Sequence, residues 1–179
     1  YRALAAVIEK YPNIYVMSDE IYEHINYGEP VFSFAAIESM YDRTITVNGV
    51  AKAFAMTGWR IGYIGAPDWI ARACNKIQGQ ITSGANSIAQ RATITALEAP
   101  VSKIQYMVDE FHKRRDMMLD LLGKIDGFKL NVPGGAFYIF PSIRSTGLTS
   151  EEFATQLLMQ EKVAVVPGTA LRYPNLHFT

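Results

Sequence analysis

The sequence predicts an α/β fold in which part of a mostly parallel sheet is flanked by helices and a smaller α+β domain follows. Before Pro100, short β-branched segments alternate with amphipathic helical segments, which is typical of a largely parallel sheet. After Pro100, one long helical pattern precedes short strand-like segments around Pro133-Gly134-Gly135. We therefore predict a large domain at residues 1–100 and a small domain at residues 101–179.

Hydrophobic spacing and turn residues predict the individual elements. Five segments carry apolar residues at helical spacing: residues 1–10, 69–80, 86–99, 102–125 and 149–162. Thr149 or Ser150, followed by two acids, indicates the start of the last helix. Strands are predicted where β-branched and aromatic residues are bounded by Gly, Pro or Asp, at residues 14–17, 43–48, 61–66, 128–132, 136–140 and 163–168.

Composition and charge exclude several classes of function. The chain of 179 residues is 49% hydrophobic and 19% charged, as in packed globular proteins. Seventeen Lys and Arg balance seventeen Asp and Glu, so no field attracts nucleic acid or an anionic membrane. One cysteine (Cys74) and three histidines without ligand spacing favour a reducing, cytoplasmic setting and no structural metal. No apolar run reaches the roughly 20 residues of a membrane helix.

Two reactive side chains follow neighbouring predicted strands. Asp19 follows the strand at 14–17, and Lys52 lies just beyond the strand at 43–48. In an open α/β sheet, loops at the carboxyl ends of the strands meet at one edge and form the ligand site. Lys52 stands among small and apolar residues, and the loss of hydration there favours a neutral amine that can attack a carbonyl. We predict a lysine that forms a Schiff base.

A Schiff-base lysine suggests pyridoxal 5'-phosphate, and this cofactor places further demands on the protein. Asp19 could keep the ring nitrogen protonated, and Tyr22 could donate to the phenolic oxygen of the ring. Arg60 offers a planar guanidinium for the phosphate. Lys52, Arg60, Asp19 and Tyr22 therefore form the predicted covalent and binding centre.

The segments "SDEIYEH", "NGVAKAFAMTGWRIGY", "VPGGAFYIF" and "VAVVPG" resemble the class I/II, fold-type I aminotransferases, closest to the bacterial aspartate aminotransferase branch. The resemblance covers essentially the whole chain. It implies that Asp19 pairs with the pyridine nitrogen, Tyr22 with the ring oxygen, Lys52 with the aldehyde of the cofactor and Arg60 with its phosphate. It also implies a homodimer in which the polar turn near Thr82 and Ser83 reaches the partner's site.

The sequence departs from the pattern of this family in places. Many relatives have a phosphate-binding serine three residues before the lysine, where this chain has Gly49, so Asn48 or the backbone would substitute. By resemblance, a glycine-rich phosphate turn and an Asn-Pro segment lie upstream of residue 1. The arginine for the substrate carboxylate would lie past Thr179, and Arg172 is not at that motif. We expect a C-terminal fragment that is inactive and binds cofactor weakly by itself.

The favoured function is transfer of an amino group between an amino acid and a 2-oxo acid. An aspartate-like substrate follows from the resemblance alone, and a place for Phe137 beside the substrate rests on analogy. Two alternatives stay open at this point. One is another reaction of the same cofactor, such as C–S lysis or decarboxylation, since fold does not fix chemistry. The other is a non-catalytic module for cofactor binding or dimerisation.

Overall fold

The computed structural model describes residues 1–28 and 30–171. Its helices are α1 (Arg2–Ile8), α2 (Asp68–Ile81), α3 (Ser87–Glu98), α4 (Gln105–Gly123) and α5 (Ser150–Glu161), and its strands are β1 (Val16–Asp19), β2 (Thr44–Gly49) and β3 (Gly62–Gly65). The five predicted helices are confirmed with shifted ends. Helix α4, for example, begins at Gln105 because residues Val101–Lys103 form a 3-10 turn after Pro100.

The three strands form one mixed sheet in the order β1-β2-β3. Strand β2 runs parallel to β1, with Val16 opposite Thr44, and antiparallel to β3, with Gly49 opposite Gly62. The α/β fold class is thus confirmed, while the third strand runs against the other two. Residues 50–61 fold as turns instead of a crossover helix, so the chain re-enters the sheet from the end where β2 finishes.

The described residues divide into two compact units. Unit 1 comprises residues 1–114 together with Gly134–Phe137, and unit 2 comprises Arg115–Pro133 and residues 138–171. The hydrophobic core of unit 1 includes Ala5, Phe34 and Met40, packed against Ile8, Val16 and Ile37. The predicted boundary at residue 100 falls inside unit 1, and a domain division at that point stays a prediction.

Unit 2 contains less regular structure than the sequence predicts. Helix α5 begins with a capping box between Thr149 and Glu152, as its sequence pattern indicates. The strands predicted at 128–132, 136–140 and 163–168 are wrong within the described chain. Residues 128–142 form only isolated bridges, Lys129 with Ser142 and Gly135 with Asn26, and residues 163–167 are irregular. A short strand that gains no further partner is too weakly stabilised to form a ladder.

Among residues 1–28 and 30–171, no helix combines the length and the apolar character of a membrane span. Nor does any cluster of three or more His, Cys, Asp or Glu side chains there have an arrangement that could bind a metal ion.

Candidate active site

Lys52 lies in a turn that directly follows β2. Val50 and Ala53, whose side chains are 0% and 2% exposed, anchor this turn in the protein. The amide of Phe54 donates to the carbonyl of Val50 at 3.3 Å and closes it. The Lys52 side chain is half-buried, and its Nζ lies 5.8 Å from the centre of the Phe137 ring. The amine is therefore at the carboxyl end of β2, against the face of an aromatic ring.

Tyr22 approaches the same aromatic ring from the segment that follows β1. The rings of Tyr22 and Phe137 meet edge to face, with centroids 5.3 Å apart and planes at 85°. Phe111 stacks on Phe137 at 5.1 Å and fixes the ring from another side. Phe137 belongs to unit 1, in which the amide of the preceding Ala136 donates to the Ile25 carbonyl at 2.8 Å. Tyr22 and Lys52, which follow different strands, thus share one neighbour.

Asp19 and Arg60 flank this arrangement at the ends of strands. Asp19 is the last residue of β1, is exposed, and accepts a hydrogen bond from the Ile21 amide at 3.2 Å. Arg60 precedes β3, has a left-handed backbone with φ 57°, and donates from Nη1 to the Thr57 carbonyl at 2.9 Å. In the residues that the structure describes, no hydrogen bond or ion pair joins Asp19, Lys52 and Arg60 to one another.

Asn48 is engaged at both ends of its side-chain amide. Its Nδ2 donates to Glu23 Oε1 at 2.6 Å, and its Oδ1 accepts from the Gly49 amide at 2.7 Å. Gly49 itself is closely covered, because a Cβ there would lie 2.9 Å from the Ile61 carbonyl oxygen and 3.1 Å from the Gly62 Cα. The position before the lysine turn therefore suits glycine on steric grounds. The use of Asn48 in phosphate binding stays a prediction.

Glu23 is the centre of a half-buried polar cluster beside these residues. Its side chain is 32% exposed, and its Oε1 lies 3.5 Å from His24 Nε2. Tyr63, which faces Asn48 across β2 and β3, has a pKa raised above its ordinary 10.0, first by burial and then by the charge of Glu23. The His24 ring packs edge to face against Phe54 at 5.9 Å. A negative charge is thus kept close to the lysine turn.

Sequence reasoning assigned no role to Glu23 and placed Phe137 only by analogy. The signal for Glu23 was available, because it stands within "SDEIYEH" and so follows the same strand as Asp19. The approach of Phe137 to Lys52 joins distant parts of the chain, which a single sequence does not reveal. Arg172, which the sequence analysis set aside, lies outside the described residues.

Comparisons with known proteins agree on one family. The family model for aminotransferase class I and II matches residues 1–177. A bifunctional aspartate aminotransferase and glutamate/aspartate-prephenate aminotransferase of Petunia hybrida is 45% identical over 93% of this chain. A probable aspartate/prephenate aminotransferase of Rhizobium leguminosarum is 43% identical over 94% of it. The solved structure of an aromatic aminotransferase from Pyrococcus horikoshii covers 96% of the chain at 40% identity, with a TM-score of 0.89.

These matches extend over only part of the relatives. The chain spans 38% of the Petunia protein, 45% of the Rhizobium protein and 46% of the Pyrococcus structure. The aspartate aminotransferase of Rhizobium meliloti gives a similar result, with a TM-score of 0.88, 39% identity and coverage of 97% of this chain and 46% of that one. Sequence and fold agree, and the chain belongs to the class I and II aminotransferase family.

Proposed function

We propose that the polypeptide to which this chain belongs is a pyridoxal-phosphate-dependent aminotransferase. It transfers an amino group between an amino acid and a 2-oxo acid. One observation carries the proposal: Lys52 and Tyr22, from the ends of different strands, both pack against Phe137, with Asp19 and Arg60 at the ends of neighbouring strands. This arrangement supports the binding of a lysine-bound cofactor at these strand ends.

The side chains present fit the cofactor by their chemistry. An amine, a carboxylate, a phenol and a guanidinium are the groups that an aldehyde, a ring nitrogen, a ring hydroxyl and a phosphate require. Asp19 and Arg60 are exposed, and each is engaged by one local backbone group, the Ile21 amide and the Thr57 carbonyl. When bound, pyridoxal phosphate supplies a reactive aldehyde and a ring that accepts the electron pair of a substrate carbanion.

Each residue then has a distinct role. Lys52 would hold the aldehyde of the cofactor through Nζ, and its amine would carry a proton from the Cα of the substrate to the carbonyl carbon of the cofactor. Asp19 keeps a proton on the ring nitrogen by its negative charge. Tyr22 donates its hydroxyl hydrogen to the ring oxygen. Arg60 pairs with the phosphate through its planar guanidinium.

The names of the relatives suggest an acidic or an aromatic amino acid as substrate. The proteins of Petunia and Rhizobium leguminosarum are named for aspartate and prephenate, and the Pyrococcus horikoshii structure is named an aromatic aminotransferase. We propose an aspartate-like substrate for this chain, because most of the similar relatives carry that name.

The proposal includes a homodimer in the cytoplasm. The turn between α2 and α3 carries Thr82 and Ser83, which are both exposed, and Ser83 has a left-handed backbone with φ 63°. As the family resemblance implies, this exposed turn would contribute to the active site of a partner subunit. The single cysteine, Cys74, is exposed, which is compatible with a reducing compartment.

Replacement of the proposed covalent residue tests this function. In the complete polypeptide, Lys52→Ala should abolish both turnover and the visible absorbance of the lysine-bound cofactor. Lys76→Ala serves as the matched control, since Lys76 is an exposed lysine of α2. Turnover that survives in the Lys52 variant would remove the proposal.

A half-reaction without the 2-oxo acid tests the type of reaction. With aspartate alone, an aminotransferase should release one equivalent of the corresponding 2-oxo acid and retain the cofactor in its pyridoxamine form. Release of ammonia or carbon dioxide with an unchanged cofactor would show a lyase or decarboxylase instead, and release of a thiol from a sulfur-containing amino acid in a parallel assay would show a C–S lyase. The same assay with an aromatic amino acid would show which substrate class reacts faster.

A further inference from the structure

A short hydrogen bond connects the two segments that carry Tyr22 and Lys52. Glu23 Oε1 accepts from Asn48 Nδ2 at 2.6 Å, and the pair joins the segment after β1 to the end of β2. Both side chains are half-buried, and the acceptor is a carboxylate. Hydrogen bonds between an amide and a charged group are about twice as strong as neutral ones.

The same two segments meet again on the far side of the lysine. His24, which follows Glu23, packs its ring against Phe54 at 5.9 Å. Asn48 precedes the turn that carries Lys52 and Phe54 lies within it, so this turn is attached to the Tyr22 segment both before and after the lysine. Attachments before and after Lys52 restrict both the rotation of this turn and its distance from the Tyr22 segment.

We propose that Glu23 and Asn48 are positioning residues that set the separation of Tyr22 and Lys52 around Phe137. This inference rests on the proposed function for its consequence in catalysis, and on the observed contacts for its geometry. Asn48 contributes in a further way, because its Oδ1 accepts from the Gly49 amide at 2.7 Å and so orients its own Nδ2 towards Glu23. Neither residue takes part in the reaction. Glu23 acts by positioning the adjacent Tyr22, and Asn48 acts by positioning Lys52, four residues further along the chain.

The contacts of Glu23 distinguish this role from that of a general base. Its Oε1 accepts from Asn48, lies 3.5 Å from His24 Nε2, and places its charge near Tyr63. Oε1 of the Glu23 carboxylate is therefore engaged by other side chains of the protein. Its contribution is therefore to hold the turn in place.

Two variants break the hydrogen bond between Glu23 and Asn48, and a third keeps it. Glu23→Ala removes the acceptor, and Asn48→Ser replaces the Nδ2 donor by a shorter hydroxyl whose oxygen can accept from the Gly49 amide. Glu23→Gln keeps an acceptor of the same shape and should therefore behave as the parent protein does. Glu38→Ala, at an exposed carboxylate of unit 1, is the control for loss of a negative charge.

The first measurement needs no cofactor. Trace acetylation of the cofactor-free polypeptide, read peptide by peptide by mass spectrometry, gives the rate at which Lys52 reacts relative to Lys76. We expect this ratio to change in Glu23→Ala and in Asn48→Ser, and to stay at the parent value in Glu23→Gln and Glu38→Ala. An unchanged ratio in both disrupting variants, with the fold intact by circular dichroism, would overturn the proposal.

The second measurement uses the complete polypeptide with cofactor. A displaced lysine should lower kcat by about tenfold or more with a smaller change in KM, since misplacement of a reacting group by about 1 Å costs up to about 100-fold. Equal losses in Glu23→Gln and Glu23→Ala would overturn the positioning role. If the parent polypeptide shows no transamination, the proposed function fails, while the acetylation ratio still decides the positioning role.

Should Glu23→Ala fail to fold, the milder Asn48→Ser decides the question by the same ratio. It leaves the charge of Glu23 and its approach to His24 unaltered. A folded Asn48→Ser protein whose Lys52 reacts as in the parent would contradict the proposal.

Discussion

Among single residues, Gly49 has the least room for change beside the lysine turn. A Cβ at this position would lie 2.9 Å from the Ile61 carbonyl oxygen and 3.1 Å from the Gly62 Cα, both of which are backbone atoms. Backbone cannot swing aside as a side chain can, so β2 and β3 would have to separate. We expect Gly49→Ala to lower the free energy of unfolding by about 1–3 kcal/mol. Urea denaturation followed by tryptophan fluorescence measures this, since Trp59 and Trp69 are in unit 1.

Gly65→Ala is the matched control for that substitution. Gly65 lies in β3 of the same sheet, and a Cβ there would meet no heavy atom within 4 Å. Its replacement should change the free energy of unfolding by about 0.5 kcal/mol or less. Equal destabilisation by the two substitutions would mean that chain entropy, and not the contact with Ile61 and Gly62, explains the effect at Gly49.

At the scale of elements, Arg43 connects the start of β2 to the segment that follows α1. Its Nη2 donates to the carbonyls of Tyr11 and Ile14, the latter at 2.6 Å, and its Nε donates to Ile14 at 3.1 Å. Carbonyls after a helix have no partner within it, and a guanidinium can satisfy several at once. Arg43→Met should lower the free energy of unfolding by about 1.5–3 kcal/mol in the same urea experiment.

Arg72→Met gives the comparison for Arg43. Arg72 pairs with Asp68 one turn away on α2, where both side chains are at least 75% exposed. An exposed pair of this kind contributes about 0.3–0.5 kcal/mol. If the Arg43 variant lost no more stability than the Arg72 variant, the carbonyl contacts of Arg43 would have no energetic role.

Helix α5 provides a pH-dependent element in unit 2. The pKa of Glu152 is lowered from 4.5, first by the hydrogen bond from the Thr149 amide and then by that from its hydroxyl. A lowered pKa means that the carboxylate stabilises the folded state above its ordinary pKa and that this stabilisation is lost as the pH falls through the lowered value. The start of α5 should therefore fray progressively below about pH 4.5.

An NMR titration of the Glu152 side-chain carboxyl carbon checks this expectation. Thr149→Ala should move the pKa of Glu152 back towards its ordinary value, because the hydroxyl contact is lost. Thr155→Ala, a substitution at an exposed position later in α5, should leave the pKa of Glu152 unchanged. If the pKa of Glu152 were the same in Thr149→Ala as in the parent, the capping box would not be the cause of the lowered pKa.

Elements that depend on local sequence could be predicted, whereas those that depend on distant contacts could not. Helix α5 and its cap at Thr149 follow from a local pattern, and the structure confirms them. The strand predicted at 128–132 would need a partner strand, and the structure supplies only the bridge from Lys129 to Ser142. The candidate site divides in the same way: the spacing of Lys52 and Arg60 is local information, but the approach of Phe137 to Lys52 is tertiary.

For the molecule as a whole, the principal feature is exposed apolar surface on α2. No residue of this helix is buried, and Trp69, Ile77 and Ile81 are 60%, 60% and 73% exposed. Ile77 and Ile81 are one turn apart and therefore lie on the same face of the helix. Isolated soluble chains rarely keep such surface in contact with water, because it favours association. The 179-residue chain on its own should therefore bind a hydrophobic dye and self-associate.

Substitution on that face of α2 shows whether it is responsible. Ile77→Gln combined with Ile81→Gln should reduce dye fluorescence and shift the sedimentation profile towards the monomer, since both changes replace apolar side chains without altering net charge. Asn75→Ser changes a polar residue on a different face of the same helix and should alter neither measurement. If the parent chain sedimented as a monomer and did not increase the fluorescence of the dye, this exposed face would not drive association.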